Sequence, residues 1–342
     1  MANPIPLIRA AALFPMVRWL RINGRPVQER LWATDLGYVS AEAPEVPIPL
    51  LAALEFFRSM GAHEGPDIGA RVVTGDSLAD LGAFGQMILG GTTPRTALQR
   101  AVSALPKYST HELVTLHRIP GGLCVQAGWS LAIDDEILHL TQQFTAMLVQ
   151  ALCGATGVTH ASPRSVRIRP HPRVGLDHLR PFFGPALSAA KEATLDIDLN
   201  DDVLDAPLRL GGALTAACPP QDWVVLKGDS SFSHSARLVL KSMAGDPPVP
   251  IERLAHAAGM SVRSLQRALT SEGTSFRRLS DEVRRGRAMG ALPAEHGTLS
   301  SVATDLGYTA QSSLSRAVRR WTGASPKELG RGPAVPSGEE PR

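Results

Sequence analysis

Cysteine is scarce in this chain of 342 residues: Cys124, Cys153 and Cys218 stand far apart in apolar or loop surroundings. No disulfide framework or metal-ligand spacing runs through them. An odd count fits a reducing cytoplasm, where each serves as a small hydrophobe. Long apolar runs are missing too. The longest near the N-terminus, Ala10 to Val17, is short and flanked by Arg9 and Arg18. It reads as neither an export signal nor a membrane span.

Catalytic motifs are equally sparse. The ten histidines are scattered, with no His-Glu-x-x-His run, no nucleophile elbow and no glycine-rich dinucleotide loop. His139, His171 and His178 read as packing or surface residues. Gly90-Gly91-Thr92-Thr93-Pro94 suggests a phosphate loop at first sight. Without the wider pattern and its lysine, it reads as a helix cap, with Thr93 at N-cap and Pro94 at the first helical position. Asp134-Asp135-Glu136 does not form a facing catalytic pair, because neighbours at a helix start point apart; the acids suit the N-terminal dipole. The sequence therefore points away from an enzyme, with no catalytic or metal residue, no cofactor, and no residue assigned to an effector.

What is present starts with an ordinary balance: 44% hydrophobic and 20% charged residues, enough for two domains with their own cores. The net charge of +3 divides unevenly. Residues 231–332 hold 15 Lys+Arg against 8 Asp+Glu, a balance of +7, leaving −4 for the rest. A basic domain beside a mildly acidic one is the layout of a phosphate-binding head on a different module.

The basic region holds one pattern twice. The first copy reads Leu254-Ala255-His256-Ala257-Ala258-Gly259-Met260-Ser261, then Leu265-Gln266-Arg267-Ala268-Leu269. The second reads Val302-Ala303-Thr304-Asp305-Leu306-Gly307-Tyr308-Thr309, then Leu314-Ser315-Arg316-Ala317-Val318, about 48 to 50 residues on. Each predicts a short helix ended by a left-handed glycine, an N-cap at Ser261 or Thr309, and a second helix: a helix-turn-helix written twice. On the second helices, Leu265, Ala268 and Leu269, and Leu314, Ala317 and Val318, form apolar stripes at helical spacing. Arg263, Gln266 and Arg267, and Gln311, Ser312 and Arg316, lie off them. Arg and Gln fork onto guanine and adenine edges in the major groove. A solvated face on a plain helical hairpin is the bland alternative, weakened by the repeat. Ser275 to Arg285 predicts a connecting helix with Phe276, Leu279 and Val283 inward. At about 22 Å it could space two heads over grooves that recur about every 34 Å.

These residues resemble the AraC/XylS family of transcription regulators. The resemblance rests on Leu265-Gln266-Arg267, Gly307-Tyr308, Ser315-Arg316-Ala317 and Arg319-Arg320-Trp321-Thr322-Gly323-Ala324-Ser325-Pro326. It covers roughly the last hundred residues, with Leu314 and Val318 where the family more often has Phe. It implies DNA reading by Arg263, Gln266 and Arg267 from one head and by Gln311, Ser312 and Arg316 from the other. More loosely, Pro170-His171-Pro172, Phe182-Phe183-Gly184-Pro185 and Leu204-Asp205-Ala206-Pro207-Leu208 resemble the arabinose-binding-like sensor domain of one branch of that family.

Taken in order, Ile5 to Leu20 predicts an amphipathic helix, and Leu50 to Met60, Asp67 to Val73, Leu78 to Leu89 and Arg95 to Leu105 predict further ones. Glu112 to His117 and Leu123 to Trp129 predict a hairpin around Pro120-Gly121-Gly122, and a long helix runs from Asp134 to about Cys153. Ser165 to Arg169 and Ala193 to Asp198 predict two more strands, with a helix from Gly175 to Phe183 between them. The expected fold is an α+β N-terminal domain, helix-rich with a small, partly antiparallel sheet. It precedes an all-α C-terminal domain of about seven helices with two helix-turn-helix units joined by a linker helix. The expected boundaries are 1–207 for sensing or dimerisation, 208–232 for a linker, 233–332 for the double helix-turn-helix and 333–342 for a disordered tail.

The function expected is a cytoplasmic transcriptional regulator, an activator, that binds double-stranded DNA as a homodimer, answers a small-molecule effector and engages RNA polymerase, with no membrane contact. The alternative is an architectural or constitutive DNA-binding protein whose N-terminal domain only dimerises.

Overall fold

A computed structural model describes residues 2–159, 161–209, 223, 225–226, 231–243, 249–291, 303 and 311–322. The chain divides into two compact units, one of Pro6–Ser230 and one of Ser231–Arg342 joined by Met1–Ile5. No helix among the described residues is long and apolar enough to cross a membrane.

In the first unit, strand β1 (Leu7–Arg9) pairs antiparallel with β2 (Pro47–Pro49), Leu7 opposite Pro49. The helix expected from Ile5 therefore begins late: a 3-10 turn, Ala10–Leu13, precedes α1 (Phe14–Ile22). Pro15 explains the shift. It lacks an N–H and is tolerated only in a first turn, so the helix has to start beside it. Next come α2 (Val27–Ala33), α3 (Leu50–Glu64) and α4 (Ile68–Arg71). The helix expected over Leu78 to Leu89 is two pieces, α5 (Ser77–Asp80) and α6 (Gly82–Leu89), separated at Gly82 with φ 61°. In α7 (Pro94–Tyr108), Thr93 is the N-cap in a reciprocal capping box with Thr96, as its sequence suggested.

The hairpin forms from β3 (Glu112–Ile119) and β4 (Gly122–Trp129). The long helix α8 (Asp135–Gly154) follows, and Asp134 accepts hydrogen bonds from the Glu136 and Ile137 amides at 3.1 Å. The other strands are β5 (Ser165–Ile168), β6 (Leu187–Ala189) and β7 (Leu195–Asn200), and the sheet order is β3-β4-β7-β5-β6. All pairs are antiparallel except β5 with β6, a strand absent from the sequence expectation. Nor does a single helix span Gly175 to Phe183. A 3-10 turn, Asp177–Leu179, gives way to the short α9 (Arg180–Phe183), with Pro181 again in a first turn. The short α10 (Asp201–Leu204) follows β7.

Helix α8 packs against α3, α4 and the sheet, and buries Leu140, Phe144, Ala146, Val149 and Leu152. Its two buried glutamines are paired as burial requires. Gln142 donates to the Ala193 carbonyl (2.9 Å) and accepts from the Arg169 amide (2.7 Å). Gln143 donates to Pro66 and accepts from Ala70.

The elements among the second unit's described residues are all helices: α11 (Phe232–Met243), α12 (Ile251–Ala257), α13 (Val262–Ser271), α14 (Phe276–Ala291) and α15 (Gln311–Thr322). The Ile5 amide donates to Ser235 Oγ at 2.9 Å, which fastens the chain's first residues to α11. Phe232, Val239, Leu254, Leu265, Leu269 and Leu279 are buried. Ala303 is helical, but the rest of the segment expected to form the first helix and glycine corner of the second repeat lies outside the described residues. So do most of the expected linker and the tail.

Candidate nucleic-acid interface and ligand cavity

The first repeat folds as its residues dictate. Helix α12 ends in a Schellman motif. Gly259 takes φ 63°, its amide donates to His256, and the Met260 amide reaches back to Ala255 at 3.0 Å. Ser261 then caps α13, its Oγ accepting from the Ser264 amide at 3.2 Å. The same device closes α13: Gly273 has φ 69°, its amide bonds to Thr270, and the Thr274 amide bonds to Leu269. Four residues between two helices, Ala258 to Ser261, turned by one left-handed glycine, make the corner of a helix-turn-helix.

Helix α13 has two faces. Leu265, Ala268 and Leu269 are buried, while Arg263, Gln266, Arg267 and Thr270 are exposed. The exposed four stand at i, i+3, i+4 and i+7, one stripe of the helix. The structure thus brings Arg263, Gln266 and Arg267 together on one solvent face. Helix α15 repeats the pattern 49 residues on: Leu314 and Val318 are buried, and Gln311, Ser312, Arg316 and Arg319 are exposed. Arg316 Nε donates to the Ser312 carbonyl of its own helix at 3.4 Å.

Two features hold this scaffold. Glu272, just past α13, accepts from the Phe232 and Ser233 amides at 2.8 Å each, satisfying orphan donors at the start of α11 with a carboxylate. Glu282 on α14 takes Arg237 of α11 (3.0 Å) and Arg278 of its own helix (3.3 Å). The connecting helix packs on α11 and on α15, with Leu279 buried and Phe276 and Val283 half-buried.

The first unit contains a feature that the sequence did not disclose. A cavity of about 120 Å³ lies among Phe57 of α3, Phe84 of α6, Leu105 of α7, Phe144 of α8, Val114 of β3 and Val125 of β4. Glu112 and Tyr108 also line it. Burial pushes the Glu112 carboxyl up to about 7, and raises the Tyr108 phenol well above its usual range with the help of the Glu112 charge. The signal lay in the alternation of β3, which puts Glu112 on the face of Val114 and Leu116. Nothing in the sequence says which face turns inward.

Among the described residues, no group of three or more His, Cys, Asp or Glu is placed to hold a metal ion. Three of the histidines, His139, His171 and His178, form a packed cluster. His139 Nδ1 donates to the Arg169 carbonyl at 2.7 Å, its Nε2 meets His178 Nε2 at 2.8 Å, and His171 Nδ1 accepts from the Arg173 and Val174 amides.

A helix-turn-helix domain family matches residues 254–332. The HTH-type transcriptional regulator Rv1395 of Mycobacterium tuberculosis is 44% identical over 322 residues, covering 90% of this chain and 92% of the relative. The ornithine utilization regulator of Pseudomonas aeruginosa is 28% identical over 141 residues, 40% of this chain and 41% of that one. Among solved structures, the transcriptional regulator CdpR of Pseudomonas aeruginosa aligns over 92% of this chain and 98% of its own, with 19% identity and a TM-score of 0.39. With a full-length regulator at 44% identity and the helix-turn-helix match at its C-terminus, the chain belongs to the AraC/XylS family of DNA-binding transcriptional regulators.

Proposed function

We propose that this regulator binds duplex DNA sequence-specifically through two reading helices, α13 and α15, under the control of a small-molecule effector held by the N-terminal unit. The observation that carries it is the exposed stripe Arg263, Gln266, Arg267 on a capped helix whose opposite face is buried. Base edges are read by such forks, and a helix fits the major groove. The matching arrangement of Gln311, Ser312 and Arg316 on α15 supports a second head. The +7 balance of residues 231–332 supports phosphate contact. The apolar cavity supports effector control, since a ligand regulates only by binding one arrangement of the protein better than another. Homodimerisation would place four heads on paired sites and multiply affinity by effective concentration, and contact with RNA polymerase would convert occupancy into activation.

The test is selection of the full chain's preferred duplex from a random pool, followed by titration on that duplex and on a scrambled one at several salt concentrations. A selected site bound at least 10³-fold more tightly, with affinity falling as salt rises, is the expected result. Equal affinity for both duplexes would leave an architectural protein instead.

A further inference from the structure

The cavity in the first unit has a wall of hydrocarbon with one charged residue in it. No Lys, Arg or His lines it among the described residues, and Glu112 has no ion pair or side-chain hydrogen bond there. The Tyr108 hydroxyl is likewise without a hydrogen-bond partner among the described residues, its ring stacked on Phe84 at 4.2 Å. Gln142 and Gln143 of α8, in contrast, have donors and acceptors matched. A buried carboxylate with no counter-charge is costly, and the cost falls when a cation arrives with good geometry. Two oxygen-bearing side chains, Glu112 and Tyr108, line one apolar space, and both can accept.

We infer that this cavity is a binding site for a small, mostly hydrocarbon molecule carrying one protonated amine, its apolar body among Phe57, Phe84 and Phe144 and its ammonium on the Glu112 carboxylate and the Tyr108 oxygen. This rests on the effector reading above and names the chemistry of the effector. The volume of about 120 Å³ approaches the roughly 150 Å³ dry cavity that takes up benzene, so a single ring or short chain fits. A sugar, with a hydroxyl on most carbons, would bury them against a wall with too few partners. A carboxylic acid would set a second negative charge beside Glu112 with no cation to balance either. Burial holds the carboxyl near 7, so ammonium binding also expels the proton from molecules that still carry one.

The test uses the full chain and three short-chain probes of one shape, n-butylamine, 1-butanol and butanoate, titrated calorimetrically at pH 8. The amine should bind at least tenfold more tightly than the alcohol, with no measurable binding of the acid. Glu112→Gln should abolish the amine's advantage while the alcohol still binds. Ala101→Phe, which fills the cavity from α7, should weaken amine and alcohol alike by tenfold or more, and decides the matter if Glu112→Gln does not fold. Equal or tighter binding of alcohol or acid, an amine preference that survives Glu112→Gln, undiminished binding to Ala101→Phe, or no binding of any probe would each overturn the site. DNA affinity, read by fluorescence anisotropy in the same samples, separates the two claims. Amine binding that leaves DNA affinity unchanged keeps the site and removes effector control by it. A different compound that alters DNA affinity equally in wild type and Ala101→Phe keeps regulation and removes this cavity.

Discussion

His139 and Glu112 belong to the same unit and pull its stability in opposite directions with pH. Burial holds His139 at about 4 against an ordinary 6.5, while burial raises Glu112 to about 7 from an ordinary 4.5. The unfolded chain therefore binds the histidine proton first. The stability contributed by neutral His139 is complete above pH 6.5 and is lost as pH falls toward 4. For Glu112 the folded chain holds the proton longer, so its contribution is complete below pH 4.5 and is lost as pH rises to 7. Between pH 4.5 and 6.5 the two slopes oppose. Denaturant titrations across that window should show stability rising with pH in Glu112→Gln and falling, or flattening, in His139→Asn. Slopes of the same sign and size in both variants would show that these groups do not govern it. Neither setting was legible in the sequence. His139 reads as one histidine on a helix, and only the fold brings His178 and the Arg169 carbonyl to it. Glu112 reads as one polar position in an alternating strand whose inward face is decided by packing.

At the scale of elements, legibility followed local chemistry. The corner between α12 and α13 was readable because Gly259 and Ser261 each have one dominant use there, a left-handed residue and an N-cap. The hairpin at Gly121 and the caps at Thr93 and Asp134 were readable for the same reason. Errors came where a proline or a left-handed glycine breaks hydrophobic periodicity: Pro15 delays α1, Gly82 parts α5 from α6 and Pro181 fragments the segment after Gly175. Strand β6 was missed because its three residues pair with β5 and have no pattern of their own. Replacing Gly259 by Ala should destabilise the second unit by about 1–2 kcal/mol, because the added Cβ opposes φ 63°. Ser261→Ala should cost about 1 kcal/mol through the lost cap. Thermal unfolding reads both; a Gly259→Ala protein as stable as wild type would show that the corner is not held in this form. Glu272→Ala should cost about 1–3 kcal/mol by unpairing the Phe232 and Ser233 amides. Hydrogen exchange should then quicken at those two amides first, and unchanged protection there would deny the cap.

For the whole molecule, the uneven charge was legible in composition alone, and the match to a full-length regulator assigns the chain to DNA. Six residues on two helices are proposed to do the reading, and their contributions separate by what each contacts. Arg267→Ala and Arg316→Ala should each leave folding intact. A lost bidentate base contact weakens the selected site by about 1–3 kcal/mol, with specificity relaxed at one position. A lost phosphate contact weakens all duplexes alike and lowers the salt slope by about 1. The most direct measurement is titration of Arg267→Ala on the selected and scrambled duplexes beside wild type. Loss on the selected duplex of about tenfold or more, with scrambled binding nearly unchanged, is the expected result. Wild-type affinity of Arg267→Ala for both duplexes would contradict it, because the exposed face of α13 would then not touch DNA.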